Sequence, residues 1–293
     1  MKPPNRLSPA LPRRAKRAVR KSGRRFGHLT ARFRLLPGYL IIGAQRAGTT
    51  SLFKYLVQHP AVGRPFLGKG AHFFDTNYSA DLDVYRAYFP TIATKWFVKA
   101  TRRMDFVTGE GSPYYLAHPH APQRIAETLP NVKLIALLRD PVERAYSHYQ
   151  HEVARGFETL SFEEAIEREA ERLVGELERM RSDPSYNSFA FQHHSYLSRG
   201  RYAEQLEVWY GLFPKEQILV LHSEDLFSDP DGTYREVLRF LGVPSRSLRE
   251  YEVFNPRKYS NMDVETRQRL VEHFAEPNER LYDLVGVDFG WSR

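Results

Sequence analysis

The loop at residues 43–50 combines glycine, hydroxyl and cationic side chains in a spacing typical of phosphate binding. Its sequence, Gly43-Ala44-Gln45-Arg46-Ala47-Gly48-Thr49-Thr50, matches the G-x-x-x-x-G pattern. The lysine that usually follows the second glycine, and that reaches the β- and γ-phosphates of a triphosphate, is replaced by Thr49. Arg46 is the cation of the loop, which therefore suits a 5′-phosphate group held by backbone N–H groups at a helix N-terminus. A glycine turn with a threonine-rich helix cap is the alternative.

A second candidate phosphate contact follows a predicted strand further along the chain. In the segment 138–141, Arg139 ends the strand and Asp140 is placed to cap a helix that begins at Pro141, with Ser147 about two turns inside it. Ligands of open α/β sheets bind at the carboxyl ends of the strands. Arg139 and Ser147 could therefore hold a second phosphate of the same nucleotide. The alternative is an ion pair between Arg139 and a nearby carboxylate.

These residues must be positioned by an alternation of short apolar strands and helices. The run at 39–42, bounded by glycines, predicts a strand buried on both faces, and a helix begins at residues 49–51. Similar strand patterns occur at 106–108, 133–138 and 218–221, separated by helical patterns long enough for crossovers. The alternation predicts an α/β protein, a P-loop-like three-layer fold with a central parallel sheet flanked by helices.

Three further helices are predicted in the second half of the chain. Ser161 and Glu164 form a capping-box pattern before a charged stretch that should be helical to about Arg181. Residues 230–241 and 264–274 also have apolar residues at helical spacing.

The net charge of +8 comes from the N-terminus. No acidic residue precedes Asp75, whereas Lys and Arg number 16 there, 12 of them at positions 2–34, so that residues 75–293 carry a balance of −8. We expect residues 1–36 to be a basic, disordered arm and residues 37–293 to be the catalytic domain, and we expect deletion of residues 1–34 to leave folding intact. A solvated tail is one interpretation of the arm; attraction to an anionic membrane surface, nucleic acid or a polyanionic substrate is the other.

The composition excludes several other classes of protein and site. The chain has no cysteine, which excludes disulfides, thiolate nucleophiles and cysteine-based metal sites. The N-terminal segment lacks the apolar run of a secretory signal or a membrane span. We therefore expect a cytoplasmic protein without a transmembrane segment.

Taken together, the motifs resemble those of the sulfotransferases that use 3′-phosphoadenosine 5′-phosphosulfate (PAPS), in particular the branch with the heparan sulfate 3-O- and N-sulfotransferases. The similarity runs from about Gly38 to Trp291 and suggests a soluble member of bacterial type. It rests on five segments in order, at residues 41–50, 72–75, 110–115, 138–147 and 289–291.

The resemblance implies roles for individual residues and a sulfotransferase domain at 37–293. The 5′-phosphosulfate would be surrounded by Arg46, Ala47, Gly48, Thr49, Thr50 and Ser51. Arg139 and Ser147 would contact the 3′-phosphate, and residues Arg257, Lys258 and Tyr259 resemble a basic loop that closes over the nucleotide. PAPS is then the donor co-substrate, and the transfer itself demands no metal.

The chain departs from the family at the positions expected to hold the catalytic base. Gly70 stands where relatives carry a glutamate, and Gly111 where they carry a lysine. His72 could accept the proton instead, since its side chain points the same way as that of residue 70 if the segment is extended. Glu110, at the carboxyl end of another strand, is the rival base. Arg46 replaces the commoner lysine and should stabilise charge.

The predicted function is a PAPS-dependent sulfotransferase acting on a hydroxyl or amine of a carbohydrate or glycosylated small molecule. A P-loop small-molecule kinase shares the loop spacing but is disfavoured by Thr49 in place of lysine. A polyanion-binding module that has lost activity at Gly70 and Gly111 is an alternative from another class. The oligomeric state stays open.

Overall fold

A five-stranded parallel sheet lies at the centre of the computed structural model, which describes residues 27–78, 81–254 and 262–291. Its order is β2-β3-β1-β4-β5. The strands are β1 (Tyr39–Gly43), β2 (Val62–Gly63), β3 (Val107–Gly111), β4 (Lys133–Leu138) and β5 (Ile218–His222). Every residue of β1 is buried. Because successive side chains of a strand point to opposite faces, both faces of the sheet are covered by other parts of the chain.

Helices connect and flank the strands, as the alternation predicted. Within the described residues they are α1 (Thr49–Leu56), α2 (Leu82–Arg86), α3 (Ile92–Arg102), α4 (Ala121–Thr128), α5 (Pro141–Val153), α6 (Phe162–Glu167), α7 (Glu169–Leu173), α8 (Glu176–Ser182), α9 (Phe189–His193), α10 (Tyr202–Tyr210), α11 (Ser223–Ser228), α12 (Pro230–Leu241) and α13 (Val264–Val285). Short 3₁₀ helices lie at Ala31–Phe33, Ser198–Gly200 and Lys215–Gln217. The predicted α/β class and the parallel sheet are confirmed.

Two of the predicted helices differ in length from those observed. The single helix predicted from Ser161 to about Arg181 is wrong: α6, α7 and α8 occupy this stretch as separate short helices. Val174 leaves the helical region with a ψ of 122°, and Gly175 has a φ of 70°, a left-handed conformation that ends one helix before the next begins. The helix predicted at 264–274 continues to Val285. The capping box of Ser161 and Glu164 is present.

The carboxyl ends of the three middle strands meet at one edge of the sheet. Tyr39 of β1 pairs with Gly109 of β3 on one side and with Lys133 of β4 on the other, and both pairings are parallel. The segments that follow these strands therefore leave the sheet side by side. They are the loop after Gly43, the segment after Gly111 and the segment after Leu138.

The last part of the predicted basic arm contacts the domain. Ala31 and Arg34 are buried, and the Arg34 guanidinium donates to the Phe89 carbonyl at 2.7 Å. Arg34 also forms an isolated antiparallel bridge with Thr91. Residues 1–26 lie outside the described part, so the boundary at residue 36 stays a prediction. No helix in the ranges 27–78, 81–254 and 262–291 is both long and apolar enough to cross a membrane.

Candidate functional site

The loop at residues 43–50 joins β1 to α1 through two residues with positive φ. Arg46 has a φ of 75° and Gly48 a φ of 86°. A β-carbon on Gly48 would lie 3.1 Å from Phe227 and 3.2 Å from Leu226, so both conformation and space favour glycine. The N–H groups of Ser51 and Leu52 donate to the Gly48 carbonyl. Helix geometry leaves the preceding N–H groups, at the start of α1, without intrahelical acceptors, where they suit an anion.

The structure brings together the two motifs predicted to bind phosphates. Arg46 Nε donates to Ser147 Oγ at 3.1 Å, and Arg139 Nη1 donates to the Arg46 carbonyl oxygen at 3.3 Å. Ser147 is buried on α5, whereas Arg139 is partly exposed. The ion pair considered as an alternative also exists, with Arg139 Nη2 3.4 Å from Glu143 Oε2. At that distance and exposure it is a weak contact that a phosphate could replace.

Several contacts fix the backbone around Arg139. Asp140 caps α5 by accepting from the N–H groups of Val142 and Glu143, as predicted. The Tyr202 hydroxyl donates to the Arg139 carbonyl at 2.8 Å, and the Trp291 ring packs 6.0 Å from that of Tyr202. The C-terminal segment at 289–291 therefore packs against Tyr202, the residue that holds the Arg139 backbone.

Lys69 supplies a cation to the loop from outside it. Its Nζ donates to Thr49 Oγ1 at 2.8 Å and to Thr50 Oγ1 at 3.2 Å. Burial lowers the pKa of Lys69 to about 7, although the charge of Glu110 acts in the opposite direction. Lys69 is not among the site residues predicted from the sequence. The signal that could have found it is Thr49 itself, because a phosphate loop without its own lysine needs a cation from another segment.

Lys69 and the residues around it limit the space for a side chain at Gly70 and Gly111. A β-carbon on Gly111 would lie 2.9 Å from Lys69 Cε, so the lysine side chain passes over the glycine. A β-carbon on Gly70 would lie 2.7 Å from the Gly111 carbonyl oxygen and 2.9 Å from Ser112 Oγ. Neither position has room for a side chain without a shift of its neighbours.

Glu110 lies buried beneath the site with both carboxylate oxygens occupied. Oε2 accepts from the Ala71 N–H at 3.0 Å and from Ser112 Oγ at 2.7 Å. Oε1 accepts from the hydroxyls of Tyr115 at 2.7 Å and Tyr85 at 3.3 Å. Burial raises the pKa of Glu110, although these hydrogen bonds oppose the shift. The carboxylate thus anchors the segment at 70–72 to the end of β3.

His72 and Asp75 form a paired histidine and carboxylate at the surface of the same segment. His72 Nδ1 lies 2.8 Å from Asp75 Oδ2, and 44% of the histidine side chain is exposed while the aspartate is buried. Burial would lower the pKa of His72, but the hydrogen bond and charge of Asp75 raise it. With Nδ1 donating to the carboxylate, Nε2 is the nitrogen available as a base. The backbone N–H of His72 donates to Ser112 Oγ at 3.1 Å, which links it to Glu110.

The expectation of an extended segment at His72 is wrong. Its φ of 50° lies in the left-handed region, and residues from Phe73 onward form turns. The inference that the side chain of His72 points the same way as that of residue 70 assumed an extended segment, and it therefore does not hold. The His72 side chain is instead oriented by Asp75. Asp75 lies in the segment 72–75 that resembles the sulfotransferases, but it is not among the predicted site residues.

The remaining predicted contacts lie on α1 and in the segment beside it. Ala47 and Ser51 are buried. The Ser51 hydroxyl accepts from the Phe254 N–H at 3.1 Å, and the Phe254 ring lies 3.5 Å from Lys54 Nζ. Residues Arg257, Lys258 and Tyr259 lie outside the described residues, but the chain that precedes them packs against α1.

A metal centre is not evident among the described side chains. In residues 27–78, 81–254 and 262–291, no three His, Asp or Glu side chains are grouped so that they could hold a metal ion. Arg46, Lys69 and Arg139 reach this edge of the sheet, where the His72–Asp75 pair also lies. Of the carboxylates described above, Glu110 is buried with both oxygens hydrogen-bonded, and Glu143 contacts Arg139. Such a set suits an anionic ligand together with a proton acceptor.

Comparisons with known proteins agree with this arrangement. The sulfotransferase domain family matches residues 36–277. A membrane-associated sulfotransferase, kil1, from Dictyostelium discoideum is 27% identical, covering 87% of this chain and 66% of that protein. Heparan sulfate glucosamine 3-O-sulfotransferase 3B1 from Homo sapiens is 30% identical, covering 87% of this chain and 65% of that protein. The chain thus spans less than two thirds of the length of these two relatives.

A solved structure has the same fold. The crystal structure of a sulfotransferase from Alicyclobacillus acidocaldarius superimposes with a TM-score of 0.65 at 30% sequence identity, covering 88% of this chain and all of that chain.

Proposed function

We propose that this chain, which belongs to the sulfotransferase domain family, transfers a sulfuryl group from PAPS to a hydroxyl or amine. The acceptor would be a carbohydrate or a glycosylated small molecule. The observation that carries the proposal is the contact between the two phosphate motifs, in which Arg46 donates to Ser147 and Arg139 donates to the Arg46 carbonyl. One nucleotide with phosphates at both its 5′ and 3′ ends would suit this pair of neighbouring cations.

The donor would lie along the loop with its phosphosulfate end at the start of α1. Arg46, Lys69 and the hydroxyls of Thr49 and Thr50 are the groups proposed to bind that end. Arg139 and Ser147 are proposed to bind the 3′-phosphate. AMP lacks this phosphate, so these two residues should distinguish PAPS from AMP. Ala47, Gly48 and Ser51 would shape the loop, and closure by residues 257–259 stays a prediction.

The reaction would be an in-line displacement at sulfur. The acceptor oxygen or nitrogen forms a bond to sulfur and loses its proton to His72 Nε2, while the bond from sulfur to the 5′-phosphate oxygen breaks. The electron pair stays on that oxygen, so negative charge grows there as adenosine 3′,5′-bisphosphate leaves. Lys69 and Arg46 would stabilise this charge, and Asp75 would stabilise the imidazolium.

The acceptor class rests on relatives. Besides the 3-O-sulfotransferase, a bifunctional heparan sulfate N-deacetylase/N-sulfotransferase 3 from Homo sapiens is 31% identical, although this chain covers only 30% of it. A glycan acceptor therefore has support from both O- and N-transferring relatives. A cytoplasmic location stays a prediction from the cysteine-free sequence.

Transfer of label from ³⁵S-PAPS tests the proposal directly. Purified protein is incubated with a panel of glycans, glycosides and amino sugars, and both labelled acceptor and adenosine 3′,5′-bisphosphate are measured. Equal amounts of the two products are expected from at least one acceptor, with little product from Arg46→Ala and normal product from the surface control Arg181→Ala.

Three outcomes would contradict it. Protection against heat by ATP with Mg²⁺ but not by adenosine 3′,5′-bisphosphate would favour the kinase. Polyanion binding without nucleotide, sensitive to salt and lost on removal of residues 1–34, would favour the binding module if no transfer is found. Absence of both transfer and bisphosphate binding would leave the site without the proposed donor.

A further inference from the structure

Helix α3 is unusual in how little of it is buried. Of its 11 residues only Val98 is buried. Three large apolar side chains are exposed instead: Ile92 by 40%, Trp96 by 67% and Phe97 by 65%. A helix of this length in a globular protein normally places its apolar residues against the core. The exposed set on α3 therefore calls for a partner outside the described domain.

The helical geometry places the apolar residues on the side that faces away from the domain. At about 100° per residue, Trp96 and Val98 lie about 200° apart around the helix axis, so Trp96 projects outward. Ile92 lies about 40° from Trp96 on one side and Phe97 about 100° on the other. Together they form one outward apolar strip.

Cations flank this strip. Lys95 and Lys99 lie on the Ile92 side of the helix, and Arg102 and Arg103 follow at its C-terminal end. The first carboxylate after the helix, Asp105, lies 3.4 Å from Lys99 and is largely exposed. Residues 92–104 contain no acidic side chain.

Neighbouring elements extend the same combination of aromatic rings and cations. The bridge between Arg34 and Thr91, the N-cap of α3, joins the 3₁₀ helix at Ala31–Phe33 to the start of α3. Phe33 is 55% exposed with the Arg32 guanidinium 4.7 Å from its ring. Phe66 is 66% exposed with the Arg34 guanidinium 5.1 Å from its ring.

The charge of the chain that enters this region has the same sign. Residues 1–26 carry ten Lys and Arg and no Asp or Glu. They join the described chain at Gly27, where a β-carbon would lie 2.8 Å from that of Ala87. The adjoining helix α2 has carboxylates at its start, Asp81 and Asp83, and Asp81 accepts from the Asp83 N–H. Cations outnumber these carboxylates on α3 and the 3₁₀ helix with Arg34.

We propose that this surface, made of α3 with Phe33 and Phe66, docks on an anionic lipid bilayer. Aromatic and aliphatic side chains that project from a helix between lysines and arginines are typical of helices that lie in the membrane interface. Tryptophan is favoured at that depth, and each Lys or Arg near an anionic leaflet adds attraction. The ten Lys and Arg of residues 1–26 would add electrostatic attraction to the same anionic leaflet.

Other occupants fit the observations less well. A second copy of the chain would place one basic surface against another, which is repulsive. A polyanionic glycan or nucleic acid would pair with the lysines but would leave Ile92 in contact with a polar polymer. The bilayer satisfies both the apolar strip and the cations. The surface shares no residue with the candidate site, so this proposal does not depend on the proposed reaction.

Tryptophan fluorescence offers a direct test because the chain has three tryptophans and the other two, Trp209 and Trp291, are buried. The full chain is mixed with phosphatidylcholine vesicles with or without phosphatidylserine. With phosphatidylserine we expect sedimentation with the vesicles, a blue-shifted emission and protection of Trp96 from acrylamide. Neutral vesicles should give much weaker binding.

Paired variants separate the apolar from the charged contribution. Trp96→Ala with Phe97→Ala should reduce vesicle partitioning at least tenfold, on the order expected for two buried aromatic rings, with an unchanged melting temperature because both are exposed. Lys95→Glu with Lys99→Glu should also weaken binding and lessen its salt dependence. Val264→Ala, at a position 78% exposed, and Arg181→Glu on α8 are the matched controls.

Four results would overturn the proposal. The wild-type chain could fail to bind anionic vesicles, or the Trp96/Phe97 double variant could bind like the wild type while removal of residues 1–26 abolishes binding. A dimer that forms without lipid and is lost in the double variant would identify a second copy as the occupant. Heparin or nucleic acid binding that needs Trp96 and Phe97, without vesicle binding, would identify a polyanion.

Discussion

Lys69 and Gly111 lie so close that a β-carbon on the glycine would approach Lys69 Cε to 2.9 Å. The resemblance to heparan sulfate sulfotransferases implies a lysine after Glu110, and this chain has Gly111 there. The glycine found there leaves room for Lys69, whose ammonium group reaches the hydroxyls of Thr49 and Thr50. A cation therefore still meets the loop, but it comes from the segment before α2.

Replacing Lys69 should weaken nucleotide binding. Lys69→Met keeps an unbranched side chain that is one atom shorter and removes a charge-assisted contact of about 1.5–3 kcal/mol. The Kd for adenosine 3′,5′-bisphosphate should therefore rise about tenfold to a hundredfold. Isothermal titration calorimetry measures it. Lys99→Met on α3, outside the candidate site, is the control. An unchanged Kd for Lys69→Met would show that the lysine does not face the nucleotide.

The lowered pKa of Lys69 also predicts a pH dependence of binding. In the protein without nucleotide, Lys69 has a pKa of about 7, so its side chain is charged below that pH and increasingly neutral above it. Affinity for the bisphosphate should therefore fall by up to tenfold per pH unit as the pH rises above about 7, until the pKa of the bound state is passed. Lys69→Arg stays charged and should lack this fall.

The wild type must be compared with Lys69→Arg because adenosine 3′,5′-bisphosphate also titrates in this pH range. Its phosphates lose their second proton near pH 6, which strengthens binding to both forms as the pH rises to about 7. The ratio of the two Kd values between pH 6 and 9 isolates the lysine. Parallel curves for the wild type and Lys69→Arg would contradict the assignment of the pKa.

Arg139 should discriminate between nucleotides with and without a 3′-phosphate. Arg139→Ala removes a contact of roughly 1.5–3 kcal/mol, which should weaken adenosine 3′,5′-bisphosphate by about one to two orders of magnitude and leave AMP nearly unchanged. Thermal shifts at graded ligand concentrations measure both. Equal losses for the two nucleotides would show that the arginine supports the loop through the Arg46 carbonyl and does not bind the 3′-phosphate.

The sequence predicted those parts of the site that follow long, strongly apolar strands. β1 and β4 are buried runs at the positions expected, and parallel pairing then requires the loop at 43–50 and Arg139 to meet at one edge. Asp140 and Pro141 further fix the start of α5 by local capping, which sequence patterns show well.

Lys69 escaped prediction because nothing local determines its place. β2 has two residues, too few for a periodic pattern, so the course of the chain from there to α2 depends on tertiary contacts. The backbone contact between the Gly111 N–H and the Lys69 carbonyl and the four hydrogen bonds to Glu110 set this course. His72 could be named as a residue type suited to proton transfer, but not its left-handed φ or its partner Asp75.

Glu110 should be required for stability more than for proton transfer. Glu110→Gln replaces one of the two acceptor oxygens with an NH2 group. That group would face either the Ala71 N–H and the Ser112 hydroxyl or the hydroxyls of Tyr115 and Tyr85, all of which donate to the carboxylate. Each buried donor left unpaired costs about 1–3 kcal/mol, so the melting temperature should fall by several degrees. A variant with wild-type stability and a pH profile that has lost its acidic limb would instead make Glu110 the base.

His72 should carry the proton-transfer step. His72→Ala should lower kcat on the order of 10²–10⁴-fold while the affinity for PAPS stays nearly unchanged, the range typical of a removed general base. Steady-state kinetics and a binding titration on the same preparation separate the two effects. Wild-type kcat in His72→Ala would assign the histidine a structural role.

Asp75 should set the pH at which His72 becomes active. The hydrogen bond and charge of Asp75 raise the pKa of His72, so the neutral base forms only as the pH rises through that raised value. Asp75→Asn removes the charge, so the acidic limb of kcat/KM should move to lower pH while kcat falls because the imidazolium loses its partner. An acidic limb that stays in place would exclude His72 as the titrating group.

The N-terminal residues should divide into a dispensable part and a packed part. Removal of residues 1–26 leaves the contacts of Ala31 and Arg34 intact, so the melting temperature should not change. Removal of residues 1–34 deletes a buried alanine and the hydrogen bond to the Phe89 carbonyl, and it uncovers Ala87 below Gly27. A loss of about 2–4 kcal/mol would lower the melting temperature by roughly 4–16 °C for a domain of this size.

Scanning calorimetry of both truncations, with Arg34→Ala as the single-residue comparison, measures the difference. Equal melting temperatures for the two truncations would restore the boundary at residue 36 and make the contacts of Arg34 energetically neutral.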